Sequence, residues 1–295
     1  MKNKVLVLGS TGLIGHQAYN YLKHNSNYEM LNIAYRTKLT NDTILLDVRD
    51  EISLINTIQK LNPDYIINCI GILIGGANKD PENAIFINAY MPHRLMRLAD
   101  DLGVKLIHIS TDCVFSGKKG QYSENDEKDG KDTYAKTKGL GEIINDKHLT
   151  LRTSVVGPEL KIDGEELFHW FMLQKDKIYG FRKAIWSGVT TLELAKAIKW
   201  AIENNISGVY HITNGKKIIK YNLLKLFKKY TKKEIDIIPI DGKSINKSFI
   251  DTRKEINYQI PDYNTMIIEM VDLMKENKNL YSHYDEIYRL NHKIK

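Results

Sequence analysis

The stretch KVLVLGSTGLIG, Lys4 to Gly15, sets one short apolar run directly against three glycines spaced three apart. Such a run suits a buried strand and is too short for a secretory segment. Gly9, Gly12 and Gly15 form a G-x-x-G-x-x-G array that opens the amphipathic segment LIGHQAYNYLKHN. Glycine is needed where a chain turns tightly, approaches a pyrophosphate and lets a strand and a helix pack closely. A helix starting there offers free N–H groups and a partial positive charge to phosphates. The stretch predicts a dinucleotide site, with Thr11, Leu13 and Ile14 counted beside the three glycines in the cofactor-binding set.

The alternation continues outward from that stretch. MLNIAYR (30–36), TILLDV (43–48), DYIINCIG (64–71), VKLIHIS (104–110) and LTLRTS (149–154) read as further strands. EISLINTIQKLN and NAYMPHRLMRLADDLG read as helices between them, IKYNLLKLFKKYTK and NTMIIEMVDLMKE as later helices, and SGVYHIT (207–213) as a late strand. This order predicts an α/β fold, a Rossmann-type doubly wound parallel sheet with a smaller C-terminal substrate-binding domain. The alternation stops after Gly157, so residues 1–157, joined by 189–213, are expected to hold the cofactor. Residues 158–295 are expected to form the second domain, interleaved with the first.

Composition narrows the function classes. The chain has 295 residues, 42% hydrophobic and 27% charged, long enough for two unequal domains sharing a cleft. Its net charge of +7 is spread along the sequence and is densest over Lys220 to Glu234, where Leu223, Leu224, Leu226 and Phe227 supply a core side. A solvated helix face is expected there rather than a nucleic-acid stripe. Two cysteines, Cys69 and Cys113, build no disulfide framework and no zinc spacing, so no metal is expected and a reducing cytoplasm fits. The longest apolar stretch, Tyr65 to Ala77, is broken by Asn68 and glycines, and no membrane span is expected.

An acidic residue commonly closes the second strand of an NAD site to hold the ribose hydroxyl. Here the position reads AYRT, and Arg36 suits a 2′-phosphate instead, which favours NADP(H) over NAD(H). Asp47, ending the third strand, is either an adenine contact or a plain turn carboxylate. Val48 beside it, and Cys69 and Gly71 past the fourth strand, complete the expected cofactor set.

The fifth strand ends in ISTDCVFSG, so Ser110, Thr111 and Asp112 fall at the carboxyl edge of the sheet, where open α/β folds place ligands. Tyr134 and Lys138 follow on a helix-like segment and share one face at four-residue spacing. Tyr19/Lys23, Tyr179/Lys183 and Tyr221/Lys225 repeat that spacing but lack a hydroxyl-bearing strand end just before them. A ketone accepting hydride builds charge on oxygen, and a phenol can supply the proton if a nearby ammonium lowers its pKa. Lys138 is expected to do so, with Thr111 or Ser110 hydrogen-bonding the same oxygen.

GSTGLIG, INCIG, FINAYMPHRLM with Asn88, STDCVFSG, YAKTKGLGE, LRTSVVG and VTTLELAKAI together resemble the extended short-chain dehydrogenase/reductase family, most closely its dTDP-4-dehydrorhamnose reductase branch. The resemblance implies that Thr111, Tyr134 and Lys138 form the catalytic triad and that a sugar nucleotide lies between the domains, reduced at a 4-keto group for surface polysaccharide. Related dehydratases carry TDE where this chain has Cys113, a poor general acid, and rhamnose-type reductases usually carry tyrosine there. The rivals are a 4-epimerase with retained NAD and a nucleotide-binding regulatory subunit.

On the substrate side, Ser110, Arg182, Lys183, Lys247 and Arg253 are candidates, the four cations for a pyrophosphate. Trp170 and Trp186 read as core and His169 as structural. Helices near PHRLMRLADDLG and YAKTKGLGEIIND are where the resemblance implies a possible homodimer.

Overall fold

The computed structural model describes residues 2–250, 252–253 and 256–284. In chain order the first half runs β1 (Lys4–Leu8), α1 (Leu13–Asn25), β2 (Glu29–Ala34), β3 (Ile44–Leu45), α2 (Glu51–Leu61), β4 (Tyr65–Asn68), α3 (Ile74–Lys79) and α4 (Pro81–Ala84). A π-helical turn, Ile85–Tyr90, leads into α5 (Met91–Leu102), followed by β5 (Lys105–Thr111), α6 (Thr133–Leu140) and β6 (Leu149–Thr153). Then come β7 (Val155–Val156), α7 (Leu167–Leu173), β8 (Lys177–Phe181), β9 (Ala184–Trp186), β10 (Val189–Thr190), α8 (Thr191–Glu203) and β11 (Gly208–His211). β12 (Ile218–Ile219), α9 (Lys220–Thr231), β13 (Asp236–Ile240), β14 (Ile245–Asn246) and α10 (Tyr263–Glu276) complete the described elements.

Seven strands form one sheet in the order β11-β6-β5-β4-β1-β2-β3, and every pairing in it is parallel. The chain leaves β1 toward β2 and β3, then returns to place β4 on the other side of β1. That reversal opens a crevice at the carboxyl ends of β1 and β4. Strand alternation divides the core: Val5, Val7, Ile67, Ile107 and Leu151 face the layer holding α1, α8 and α10, whereas Leu6, Leu8, Ile66 and Leu106 face α2 and α5. Because both faces are covered, the strands read as continuous apolar runs.

After β6 the elements shorten into a β12-β9-β14 sheet and the pairs β10-β7 and β13-β8, while β11 returns to the main sheet. The first core layer continues without a break into this region through Phe168, Phe171, Trp186, Phe227 and Met270. The lysine-rich segment is α9, which buries Leu223, Leu224 and Phe227 and turns its cations outward. Trp186 is buried and donates to Ser154 Oγ, but Trp170 is 38% exposed, because its position on the short α7 points away from the face that Phe168 and Phe171 bury.

Candidate active site

At the cofactor end, Gly9 turns the chain with φ +78°, and its carbonyl accepts from Gly12 N. Gly12 caps α1 with no side-chain acceptor, which leaves the first N–H groups of that helix facing the crevice. A Cβ on Gly15 would collide with the backbone of Gly9 and Ser10, so loop and helix are as close as only glycine permits. These features fit a dinucleotide pyrophosphate.

Past β2, Arg36 lies 4.7 Å from the ring centre of Tyr35 and Arg49 lies 5.7 Å from it. Arg49 also donates to the Tyr35 hydroxyl at 3.0 Å and forks onto Asp47, whose carboxyl it holds below the usual range. The structure thus brings Arg36, Asp47 and Val48 to one corner and adds Arg49. Asp47 there is an arginine partner. Cys69 and Gly71 lie just past β4; burial raises the Cys69 thiol to about 12, against the opposing charge of Lys138 nearby.

At the chemical end, three consecutive residues at the end of β5 face the α6 region. Ile109 accepts from Lys138 Nζ at 2.7 Å, Ser110 donates to Glu142 at 2.6 Å, and Thr111, whose hydroxyl accepts from Cys113 N at 3.1 Å, lies close enough to the Tyr134 phenol to lower its pKa. Asp132 caps α6 by accepting from Ala135 N, which fixes the start of the helix and hence the direction of Tyr134. Asn88, on the π-helical turn, bonds both backbone groups of Ile72 and the Thr137 hydroxyl, fastening α6 to the loop after β4. Such turns recur at functional sites.

The electrostatics differ from the expectation in one respect. Burial raises the Tyr134 phenol above its ordinary value, and Cys113 adds to the effect while Thr111 opposes it. Lys138 does not offset this, because its own burial lowers it to about 8 and its ammonium is turned toward the Ile109 carbonyl. The phenol is therefore held in its protonated form.

The expected substrate contacts separate into three groups. Lys247 lies near Cys113 and Asp112, whose influence outweighs the burial that lowers it and holds its ammonium above the usual value. Arg182 and Lys183 are exposed and share Asp241, at 2.6 and 2.9 Å. Ser110 and Arg253 are held by structural hydrogen bonds. Ser110 is buried, with its hydroxyl spent on Glu142 because β5 alternation turns it inward. Arg253 donates to Ser207 O and Val209 O at the amino end of β11, the wrong end of the sheet for a ligand.

His169 is buried between Tyr284 and the Ile162 carbonyl, as a structural residue would be. Residues that the sequence reading missed include Arg49, Glu142 and Arg152. Arg152 is buried and binds Glu142 with two parallel hydrogen bonds of 2.8 and 2.7 Å. A charge in the middle of the apolar strand LTLRT was the available signal. Among the described residues no His, Cys, Asp and Glu group could hold a metal ion, and no helix is long and apolar enough to cross a membrane.

Comparison with known proteins identifies the family. The family model described as the RmlD substrate binding domain matches residues 3–249. The chain is 27% identical over 217 residues to the spore coat polysaccharide biosynthesis protein SpsK of Bacillus subtilis, spanning 72% of this chain and 73% of that protein. It is 30% identical over 158 residues to the dTDP-4-dehydrorhamnose reductase of Salmonella typhimurium, spanning 52% of this chain and 51% of that one. The crystal structure of dTDP-4-dehydrorhamnose reductase from Bacillus anthracis str. Ames in complex with NADP shares the fold, with a TM-score of 0.80 at 22% identity over 92% of this chain and 100% of that one. With most of its length matched, the chain belongs to the RmlD substrate binding domain family, and so to the NAD(P)-dependent oxidoreductases of the extended short-chain dehydrogenase/reductase type.

Proposed function

We propose that the protein uses NADPH to reduce the 4-keto group of a nucleotide-linked 4-keto-6-deoxy hexose, supplying deoxysugar for surface polysaccharide. The observation that carries this is the Tyr134 phenol, held beside Thr111 and one helical turn before Lys138 at the carboxyl edge of the parallel sheet. The sugar and the pathway are supported by the named relatives, a dTDP-4-dehydrorhamnose reductase and a spore coat polysaccharide protein.

When bound, the nicotinamide supplies the hydride. The proton that balances it moves from the Tyr134 hydroxyl to the carbonyl oxygen, so ketone, hydride and proton give the alcohol. The burial that raises the phenol keeps this donor loaded at neutral pH, and Lys138, whose ammonium is held on the Ile109 carbonyl, lies one turn further along α6. Thr111 orients the shared oxygen, and Lys247 faces the same cleft from the C-terminal half. Arg36 and Arg49 favour the 2′-phosphate of NADPH.

In this reading residues 1–157 with 189–213 form the cofactor unit, and the remainder of 158–295 forms the substrate wall. A cytoplasmic location follows from the substrate class. A homodimer would use the face carrying Leu140 and Ile144, which are 68% and 67% exposed; a monomeric mass at micromolar concentration would remove it.

The test is loss of NADPH absorbance with a panel of UDP- and dTDP-4-keto-6-deoxy sugars, with NADH as control. Stoichiometric oxidation that requires Tyr134 and prefers NADPH supports the proposal and identifies the sugar. Tight NADPH binding without oxidation of any sugar rejects it in favour of an epimerase or a regulatory nucleotide-binding subunit.

A further inference from the structure

Glu142 lies just past the end of α6, four residues beyond Lys138, and is buried. Its Oε1 accepts from Ser110 Oγ at 2.6 Å and from Arg152 Nε at 2.8 Å. Its Oε2 accepts from Arg152 Nη2 at 2.7 Å and pairs with Lys128 Nζ at 3.2 Å. Arg152 continues inward to His211 Nε2 at 2.7 Å and to the Glu124 carbonyl at 3.4 Å. A carboxylate with this many bonds stabilises one arrangement of three elements, since an unpaired charge at that depth is costly. Those elements are the end of β5, the end of α6 and the middle of β6.

We infer that Glu142 is a positioning residue: through Ser110 and Arg152 it fixes the strand end that carries Thr111, and its carboxylate supplies the counter-charge of Lys138. Ser110 sits between Ile109, which accepts from Lys138, and Thr111, which lies beside the Tyr134 phenol, so displacing it moves the neighbours of both Lys138 and Tyr134. This deepens the reductase reading and rests on it for the role of Lys138.

The groups around the two residues agree on sign. Burial pulls Lys138 down to about 8, whereas Glu142 and the Cys69 thiol oppose that fall. His108, also close to Lys138, is buried and held neutral. Burial is the largest influence on Glu142 and raises it, yet Arg152, Ser110 and Lys128 together hold it below the usual carboxylate range. His211, lowered to about 3 by burial and by Arg152, stays neutral beside the pair. Glu142, four residues beyond Lys138, is thus a negative charge that opposes the fall of Lys138 at neutral pH.

The test titrates the full chain labelled with [ε-¹³C]lysine, with the Lys138 signal assigned through Lys138→Arg. No substrate is needed, so the readout does not depend on which sugar, if any, is reduced. In Glu142→Gln the Lys138 midpoint is expected to fall by about one unit, and Glu142→Asp is expected to restore most of it. In NADPH oxidation the alkaline limb of kcat/KM should move to lower pH by the same amount, because the ammonium is lost sooner as pH rises.

Should Glu142→Gln not fold, Ser110→Ala, which keeps the Arg152 ion pair, is expected to lower kcat by about tenfold with KM nearly unchanged. An unmoved Lys138 midpoint with a uniformly lowered pH profile, or a Ser110→Ala enzyme with unchanged kcat, would overturn the inference. A midpoint that shifts in a protein with no reductase activity would reject the reductase reading and leave the coupling of Glu142 to Lys138 intact.

Discussion

A methyl group on Gly15 would overlap the carbonyl oxygen of Gly9, because the glycine loop folds back until the start of α1 touches the end of β1. Backbone cannot rotate away as a side chain would, so the loop itself must move. Gly15→Ala is therefore expected to weaken NADPH binding at least tenfold and to destabilise the fold by about 1–3 kcal/mol. Nucleotide titration by tryptophan fluorescence, with a thermal melt beside it, measures both. Wild-type affinity in the variant would show that the pyrophosphate does not use this loop.

Arg36 and Arg49 flank the ring of Tyr35, and Arg49 also pairs with the Asp47 carboxylate. Removing the guanidinium of Arg36 should raise KM for NADPH about tenfold while leaving NADH nearly unchanged, since only the former carries the 2′-phosphate. Arg49→Ala should do the same more weakly, because part of its charge already serves Asp47. Equal losses with both cofactors would assign the two arginines to adenine stacking or to surface packing.

Tyr134 and Thr111 lie side by side, but their expected defects differ. Tyr134→Phe removes the proton and should lower kcat by about 10²–10⁴-fold with NADPH affinity retained. Thr111→Ala leaves the proton donor and removes its orientation, so a smaller loss of about 10–100-fold is expected. Single-turnover oxidation of bound NADPH separates the two from slow product release. A Tyr134→Phe enzyme with full turnover would move the proton donor elsewhere in the cleft.

The strands were legible in the sequence because burial on both faces leaves no polar alternation to confuse them, as in Val5 to Leu8. Tyr134 and Lys138 were legible because both lie on one helix, where spacing alone decides which side chains share a face. Contacts between strands that are distant in sequence were not. Arg152 meets Glu142 only because β6 lies beside β5, and Arg253 reaches the amino end of β11 only because that strand closes the sheet edge. Ser110 shows the same limit within one strand. Its place beside Thr111 suggested the cleft, but adjacent strand residues point to opposite faces, and only one of the two could reach the substrate.

Glu166 offers a test of stability against pH that is independent of catalysis. Its Oε2 caps α7, accepting from Phe168 N at 2.7 Å and His169 N at 3.4 Å, and also accepts from Gly157 N at 3.2 Å. Oε1 is buried with no hydrogen-bond partner among the described residues, and Glu159 lies close by. Burial, the dominant cause, raises the carboxyl from 4.5 to about 8, with Glu159 adding to the rise and the three backbone donors opposing it. A folded-state pKa above the unfolded one means that the native protein binds the extra proton between those values. Stability from this group is therefore full below pH 4.5 and is lost progressively as pH rises toward 8. Glu166→Gln, neutral throughout, should remove that slope: the variant matches the wild type near pH 5 and melts several degrees higher near pH 8. Denaturant unfolding at each pH measures the difference directly. Parallel curves for the two proteins would mean that Glu166 is ionised in the native state and that the pH dependence comes from another group.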